Sequence, residues 1–122
     1  MWRVPYCFIN MSKLHVDIAK ACLKEGSKEA CGVIRGSEVI PLKNISEEPE
    51  TSFVIDARDY LTYLPEIVYH SHPVGDNGFS EHDLLVASNL RLTFYVYVVE
   101  ADRLERFSTE TGTTIFKDVL GR

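Results

Sequence analysis

The chain has 122 residues, of which 45% are hydrophobic and 25% charged, and its formal net charge is −5. This size and composition predict one globular domain, residues 1–122, with its own core. The negative charge and the lack of a basic cluster argue against nucleic acid or an anionic membrane as partner. The sequence has no apolar run long enough to span a bilayer and no signal pattern, so we expect a cytoplasmic protein of the producing cell.

Apolar periodicity and turn-forming residues predict alternating strands and helices along the chain. The predicted strands cover residues 2–9, 29–35, 38–42, 52–55, 67–72, 93–100 and 104–108, with residues 115–116 ending the sheet. The predicted helices cover residues 12–24, 56–64 and 80–89, and they begin at the N-cap residues Ser12, Asp56 and Ser80. Gly26 is a suitable C-cap residue for the first helix. The fold class is therefore α/β or mixed α+β, a single domain with a mixed sheet and about three helices.

Three cysteines, Cys7, Cys22 and Cys31, form no C-x-x-C pair. An odd number without such spacing predicts reduced, mostly buried thiols and no disulfide framework. Cys31 lies two residues after Glu29, where a nucleophile is conceivable. A strand cysteine beside a glycine is more typical of core packing.

Metal-ligand side chains are concentrated around the fifth predicted strand. Strand side chains alternate between faces, so His70 and His72 point to the same side and can reach one ion. Pro73 and a glycine-containing loop end the strand, and the next helix brings Asp83 back beside the histidines. Three protein ligands with an open fourth position are typical of a catalytic zinc.

Ordinary structural roles compete with this interpretation. His70 and His72 also fit two polar residues near a strand end. Ser80 and Asp83 form a capping-box pattern, S-x-x-D, and a cap and a metal compete for Asp83. His82 is left out of the site because its side chain leaves the helix about 100° away from that of Asp83.

Zinc-dependent hydrolysis also requires a base that removes a proton from water and returns it to the leaving amine. A glutamate that is not itself a ligand is the usual provider. The sequence offers Glu29, Glu66 and Glu81 as candidates, and the residues alone do not choose among them.

Taken together, Glu29 before Cys31-Gly32, the run His70-Ser71-His72-Pro73, and Ser80 with Asp83 resemble the JAMM/MPN+ metalloprotease signature. The resemblance implies a curved mixed sheet flanked by helices, of the cytidine-deaminase-like kind. It also implies one Zn²⁺ per chain, held by His70, His72 and Asp83. In the same pattern Glu29 is the general acid/base, and Ser80 donates a hydrogen bond to the tetrahedral oxyanion.

A narrower resemblance concerns the peptidase domain of phage tail-assembly proteins. It is carried by Glu29-Ala30-Cys31-Gly32, by Asn44-Ile45-Ser46 with Pro49 and Phe53, and by Asp59-Tyr60-Leu61. Other compact prokaryotic members remove ubiquitin-like or sulfur-carrier proteins from conjugates. The resemblance thus implies a peptide or ubiquitin-like protein substrate, whose extended tail enters a narrow groove, and it makes association with a phage an alternative to a bacterial role.

Two functions of different classes follow. The first is a zinc-dependent peptidase or isopeptidase. The alternative is a non-catalytic, metal-containing binding or assembly module. A zinc nucleobase deaminase is set aside because the H-x-E and P-C-x-x-C motifs are absent. The sequence leaves the scissile bond and the oligomeric state open.

Overall fold

The computed structural model describes residues 12–122, so the strand predicted over residues 2–9 lies outside the described part. Three helices are present in this part: α1 (Lys13–Lys24), α2 (Ala57–Tyr63) and α3 (Glu81–Leu90). The strands are β1 (Cys31–Arg35), β2 (Glu38–Leu42), β3 (Ile67–His72), β4 (Thr93–Val98), β5 (Arg103–Ser108) and β6 (Gly112–Phe116). Among these helices none is both long and apolar enough to cross a bilayer.

The six strands form one mixed sheet in the order β2-β1-β3-β4-β5-β6. Neighbouring strands are antiparallel except β3 and β4, which are parallel and are connected through α3. A parallel pair requires such a crossover, and the loop that leaves β3 therefore lies at the carboxyl ends of both strands. This architecture confirms the predicted mixed α+β class. The likeness to cytidine deaminases stays a prediction.

Helix α1 covers one face of the sheet. Its residues Ile18, Ala19 and Cys22 are fully buried and pack against alternate strand residues, among them Tyr69 and Tyr97. The predicted amphipathic helix is thereby confirmed, because its apolar side supplies this core.

Helix α3 packs against the opposite face, where its residue Ala87 meets Val68 and Phe94. Side chains of a strand alternate between faces, so His70 and His72 share the face of Val68. The predicted common side of the two histidines is confirmed, and it is the side on which α3 begins.

Gly32 lies in β1, between β2 and β3, at a point where the space admits no side chain. A Cβ atom there would overlap the backbone oxygen of Ile40 and the ring of Tyr69. Any larger residue would have to push β2 away or displace a fully buried aromatic side chain.

The strand predicted over residues 52–55 is wrong. This segment forms only an isolated bridge between Asn44 and Ile55. The Asn44 side chain accepts a hydrogen bond from Val54 N and donates one to Ser52 O. Backbone groups that a ladder would need are thus bonded to a side chain, and the segment remains a loop. The strand predicted over residues 93–100 is also shorter and ends at Val98, followed by a 3₁₀ turn, Val99–Ala101.

The predicted helix caps are largely confirmed. Ser12 accepts from His15 N, and Asp56 accepts from Arg58 N. Ser80 and Asp83 form the reciprocal capping box, so that α3 begins one residue later, at Glu81. The C-cap of α1 is Glu25, and Gly26 follows it with φ +66°, a conformation that suits glycine.

Candidate metal centre

The predicted metal ligands converge at the carboxyl end of β3. Asp83 Oδ2 lies 3.3 Å from His70 Nε2 and 3.6 Å from His72 Nε2. His70 is fully buried and Asp83 is 8% exposed, so these groups are largely withdrawn from water. Strand β3 presents the imidazoles, and the first turn of α3 presents the carboxylate.

The capping box and the site use the same oxygen of Asp83. Oδ2 accepts a hydrogen bond of 3.0 Å from Ser80 N while facing both imidazoles. The capping bond thus places this oxygen beside both histidines, and the competition between cap and metal stays a prediction. Burial opposes ionisation, but the hydrogen bonds that the carboxylate accepts from His70, His72 and Ser80 N outweigh it. They hold the pKa of Asp83 far below its usual range, so it stays a carboxylate.

Glu29 joins the site from the two residues that precede β1, where the chain still runs beside β3. Ala30 N donates to Ser71 Oγ at 2.8 Å, and Ser71 N donates to Ala30 O at 3.0 Å. This pairing places Glu29, which is 6% exposed, beside the histidines. One ligand atom from each of Glu29, His70 and His72 lies within 4.8 Å of the others.

Burial makes Glu29 a weaker acid than usual. Desolvation raises its pKa to about 7; the positive charge of His72 lowers it in part, and the negative charge of Asp83 adds to the rise. A carboxyl group with this pKa can both take and return a proton near neutrality, which is what a general acid/base requires.

The ring of His72 is oriented by the backbone of the loop after β3. Its Nδ1 lies 3.0 Å from the carbonyl oxygen of Asn77. A carbonyl oxygen only accepts, so Nδ1 carries the hydrogen, and in the neutral ring Nε2 keeps a lone pair. Burial lowers the pKa of His72, but hydrogen bonds with Asp83 and Asn77 and the charge of Glu29 outweigh it and raise the pKa overall.

This arrangement fits a bound cation. In the neutral ring the lone pair of His72 Nε2 would face a carboxylate oxygen, and the two electron-rich atoms would repel unless a proton or a cation lay between them. Complete burial lowers the pKa of His70 despite the opposing hydrogen bond with Asp83, so its imidazole is neutral, the form that ligates metals. Two imidazoles with one or two carboxylates are donors that Zn²⁺ binds.

The loop of residues 43–56 forms a wall of the site. The ring of Phe53 stacks on His70, with centroids 4.6 Å apart and planes 23° apart. Asn44 Nδ2 donates to Glu29 O at 2.9 Å, and Glu29 N donates to Pro49 O at 2.6 Å. The same loop therefore both fixes the backbone of Glu29 and shields His70.

A cavity of about 610 Å³ opens at the centre. Glu29, His72, Ser80 and Asp83 line its polar end. The remainder is mostly apolar and is formed by the loop after β2, by α3 and the turn after it, and by β3 and β4, with Phe53, Val54, Ile55, Val68, Val86, Leu90, Leu92 and Phe94. Such a groove suits an extended chain with apolar side chains.

Other candidates from the sequence lie outside the centre. Glu66 and Glu81 are exposed, and Glu66 precedes β3 at the end opposite His72. His82 is exposed and contributes to the cavity rim, away from the Asp83 carboxylate contacts. Burial raises the pKa of the Cys31 thiol to about 12, which leaves it protonated and agrees with a packing role. Cys22 is likewise a buried free thiol, and Cys7 lies outside the described residues.

Sequence reasoning gave no role to Ser71, Asn77 or Phe53. For Ser71 the sequence did offer a signal. It lies between two histidines of one strand, so its small hydroxyl side chain faces the other side of the sheet from them. Asn77 acts through its backbone carbonyl, which any residue type provides. Phe53 meets His70 only through tertiary packing.

A family model described as prokaryotic homologs of the JAB domain matches residues 11–110. That range contains Glu29, both histidines, Ser80 and Asp83. The chain belongs to this JAMM/MPN-type family. No curated protein matches the chain. The narrower likeness to phage tail-assembly peptidases stays a prediction.

A solved structure supports the fold of this JAB-domain homologue. The solution structure of protein DSY2949 from Desulfitobacterium hafniense has a TM-score of 0.62 and 19% sequence identity. The match covers 88% of each chain. At this identity the similarity concerns the fold alone.

Proposed function

We propose that this JAB-domain homologue is a zinc-dependent peptidase or isopeptidase. The observation that carries the proposal is the convergence of Asp83 Oδ2 on both imidazoles, beside a buried Glu29 whose pKa is about 7. The centre opens into a cavity large enough for a peptide segment. A purely structural metal site is usually closed by four protein ligands.

We assign His70, His72 and Asp83 as the zinc ligands and Glu29 as the general acid/base. Geometry alone leaves Glu29 within ligand reach as well. The pKa directions support this assignment: Asp83 is held ionised, as a ligand must be, whereas Glu29 is poised to exchange a proton. Environments that push the pKa values of two carboxyl groups apart are typical of sites in which the two groups have different chemical roles.

Zinc, when bound, would supply a Lewis acid that polarises the scissile carbonyl and lowers the pKa of water. The Glu29 carboxylate takes a proton from the attacking water and returns it to the leaving amine. The Ser80 hydroxyl accepts a hydrogen bond from Asp83 N at 3.0 Å. Its own hydrogen remains available, and Ser80 is exposed toward the cavity, so it can donate to the oxyanion.

We infer that the substrate is the extended tail of a peptide or of a ubiquitin-like or sulfur-carrier protein. An apolar groove that ends at the polar centre supports an extended chain. The net charge of −5 disfavours nucleic acid and anionic membranes as partners. The buried free thiols Cys22 and Cys31 support a location in the reducing cytoplasm of the producing cell. A peptidase that acts in phage tail assembly is a variant of this proposal.

The first test is zinc content per chain by elemental analysis of the wild type, His72→Ala and Asp83→Ala. We expect about one zinc in the wild type, as in single-zinc catalytic sites, and its loss in both variants. His82→Ala is the matched control, since it removes an exposed histidine next to Asp83 and should keep the zinc. Zinc absent from the reconstituted wild type, or retained in both ligand variants, would contradict the assignment.

One observation favours a second candidate, a metal-containing binding or assembly module. The ligands would tie the end of β3 to the start of α3, so a metal there could serve structure. This alternative predicts that a chelator unfolds the domain and that no peptide is cleaved. Thermal melts with and without chelator separate the two, because a catalytic site loses only the stabilisation from ligand binding, about 2.7 kcal/mol at a hundredfold excess over Kd.

A further inference from the structure

Residues 73–79 connect β3 to α3 and contain no helix or strand. This loop nevertheless carries the Asn77 carbonyl that accepts from His72 Nδ1. The orientation of one predicted ligand therefore depends on how well an exposed loop is held. The cap of α3 fixes its far end, but Asn77 lies three residues before Ser80.

Two side chains of β5 hold the loop on either side of Asn77. Arg103 Nη2 donates to Asp76 O at 2.5 Å. Glu105 Oε1 accepts from Phe79 N at 3.4 Å. The two contacts anchor the residues at positions −1 and +2 relative to Asn77, so its carbonyl has little freedom to turn away from His72.

The two anchoring side chains are bonded to each other. Arg103 Nε donates to Glu105 Oε2 at 2.9 Å. Their side chains are only 20% and 10% exposed, so this ion pair is largely desolvated and has a defined geometry. Removing either partner would leave a partly buried charge without its counterpart.

Strand register brings this pair to the site. His72 pairs with Val98, and Val98 pairs with Arg103, so His72 and Arg103 lie in line at the same end of the sheet, about 10 Å apart across two strand spacings. Residues 103 and 105 share one face of β5, the face on which Phe107 packs with the α3 side of the core.

Gly78 completes the arrangement. A Cβ atom on this residue would overlap the carboxylate of Glu105. The close approach of loop and carboxylate therefore requires glycine, and Gly78→Ala would displace the carboxylate without removing a charge.

We propose that Arg103 and Glu105 are positioning residues for the metal centre: through the loop of residues 73–79 they hold the Asn77 carbonyl and thereby the hydrogen bond from Nδ1 that orients the His72 ring. The importance of this for zinc rests on the proposed function. The effect on the His72 ring itself does not, because it exists in the metal-free protein.

The test uses ¹⁵N NMR of the His72 ring in the metal-free protein and zinc affinity by chelator competition. Measured at a pH at which the His72 ring is neutral, the wild type should show one tautomer, with the hydrogen on Nδ1. In Arg103→Met and Glu105→Gln we expect a mixture of tautomers and zinc affinity about 10-fold or more weaker, the usual effect of losing an outer-shell partner. A general loss of stability would not by itself change the tautomer of a folded protein.

Arg106→Met is the matched control: it removes the same side chain from the same strand, but on the opposite face, and should keep both the tautomer and the affinity. If Arg103→Met and Glu105→Gln do not fold, Gly78→Ala tests the proposal instead. It should also give a mixture of His72 tautomers. A single Nδ1–H tautomer in every folded variant of Arg103, Glu105 and Gly78 would overturn the proposal. If the wild type takes up no zinc, the proposed function fails, and the tautomer comparison still decides whether Arg103 and Glu105 position the His72 ring.

Discussion

Phe53 lies flat against His70, with 4.6 Å between the ring centroids and 23° between the ring planes. His70 is fully buried, and Phe53 belongs to a loop that also bonds to the backbone of Glu29 through Asn44. One loop thus shields a proposed zinc ligand from water and fixes the backbone of the proposed acid/base residue. A low dielectric around the centre strengthens every electrostatic interaction within it.

Replacing Phe53 should open the centre to water. We expect Phe53→Ala to lower the free energy of unfolding by about 1–3 kcal/mol, since a half-buried aromatic side chain loses less than a fully buried one. Zinc should also dissociate faster. Phe53→Leu keeps apolar cover and should lose less in both respects. Urea denaturation and chelator-induced zinc release measure the two effects, and equal release rates in all three proteins would contradict the shielding role.

Glu29→Gln should separate turnover from metal binding. The amide cannot accept the proton, so we expect peptide hydrolysis to fall by about 10²- to 10⁴-fold, while zinc remains bound. Turnover of a peptide substrate and zinc content are measured on the same preparation. Glu66→Gln, an exposed glutamate at the opposite end of β3, is the control and should be fully active. Full activity of Glu29→Gln would refute the assignment of the acid/base.

Ser80→Ala removes two interactions at once. Loss of the N-cap should cost about 1 kcal/mol of stability, and loss of an oxyanion donor should lower kcat by about 10²- to 10³-fold. Ser80→Thr keeps a hydroxyl and should retain most of both. Thermal melts and steady-state kinetics distinguish the roles: a destabilised Ser80→Ala with unchanged kcat would leave Ser80 as a cap alone.

Asp102 should make the stability depend on acid pH. Its carboxylate accepts hydrogen bonds from Tyr97 Oη at 2.6 Å and from the backbone N–H groups of Leu120 and Gly121, which attaches the final residues to the sheet. Burial opposes ionisation, but these bonds outweigh it and lower the pKa of Asp102 below 3.8. A lowered folded-state pKa means that the stabilisation is complete above the ordinary pKa and is lost as the pH falls through the folded-state value.

We therefore expect Asp102→Asn to be less stable than the wild type at neutral pH by about 1–3 kcal/mol, the usual effect of a disrupted buried hydrogen-bond network. The difference should shrink below pH 3.8. Urea midpoints measured across this range give the comparison. Asn tolerates the left-handed backbone at this position, φ +50°, so strain does not confuse the result. Asp118→Asn changes an exposed aspartate of similar backbone conformation and should show no such trend.

Features set by neighbouring residues could be predicted from the sequence. The alternation of strand side chains placed His70 and His72 on one face, and the S-x-x-D pattern located the start of α3. Both follow from backbone geometry and from hydrogen bonds within a few residues. Local propensity failed at residues 52–55, because the side chain of Asn44, about ten residues away, takes the bonds that a strand would use.

What the sequence determined by itself was the composition of the site: two imidazoles, the capping carboxylate and a set of candidate glutamates. The family resemblance singled out Glu29, and the tertiary structure placed this residue, and neither Glu66 nor Glu81, beside the histidines through the pairing of β1 with β3. The tertiary structure alone brought Phe53 onto His70 and the Arg103–Glu105 pair onto the loop of Asn77. The physical reason is that these contacts depend on strand register and on packing between segments distant in sequence, which no local pattern encodes.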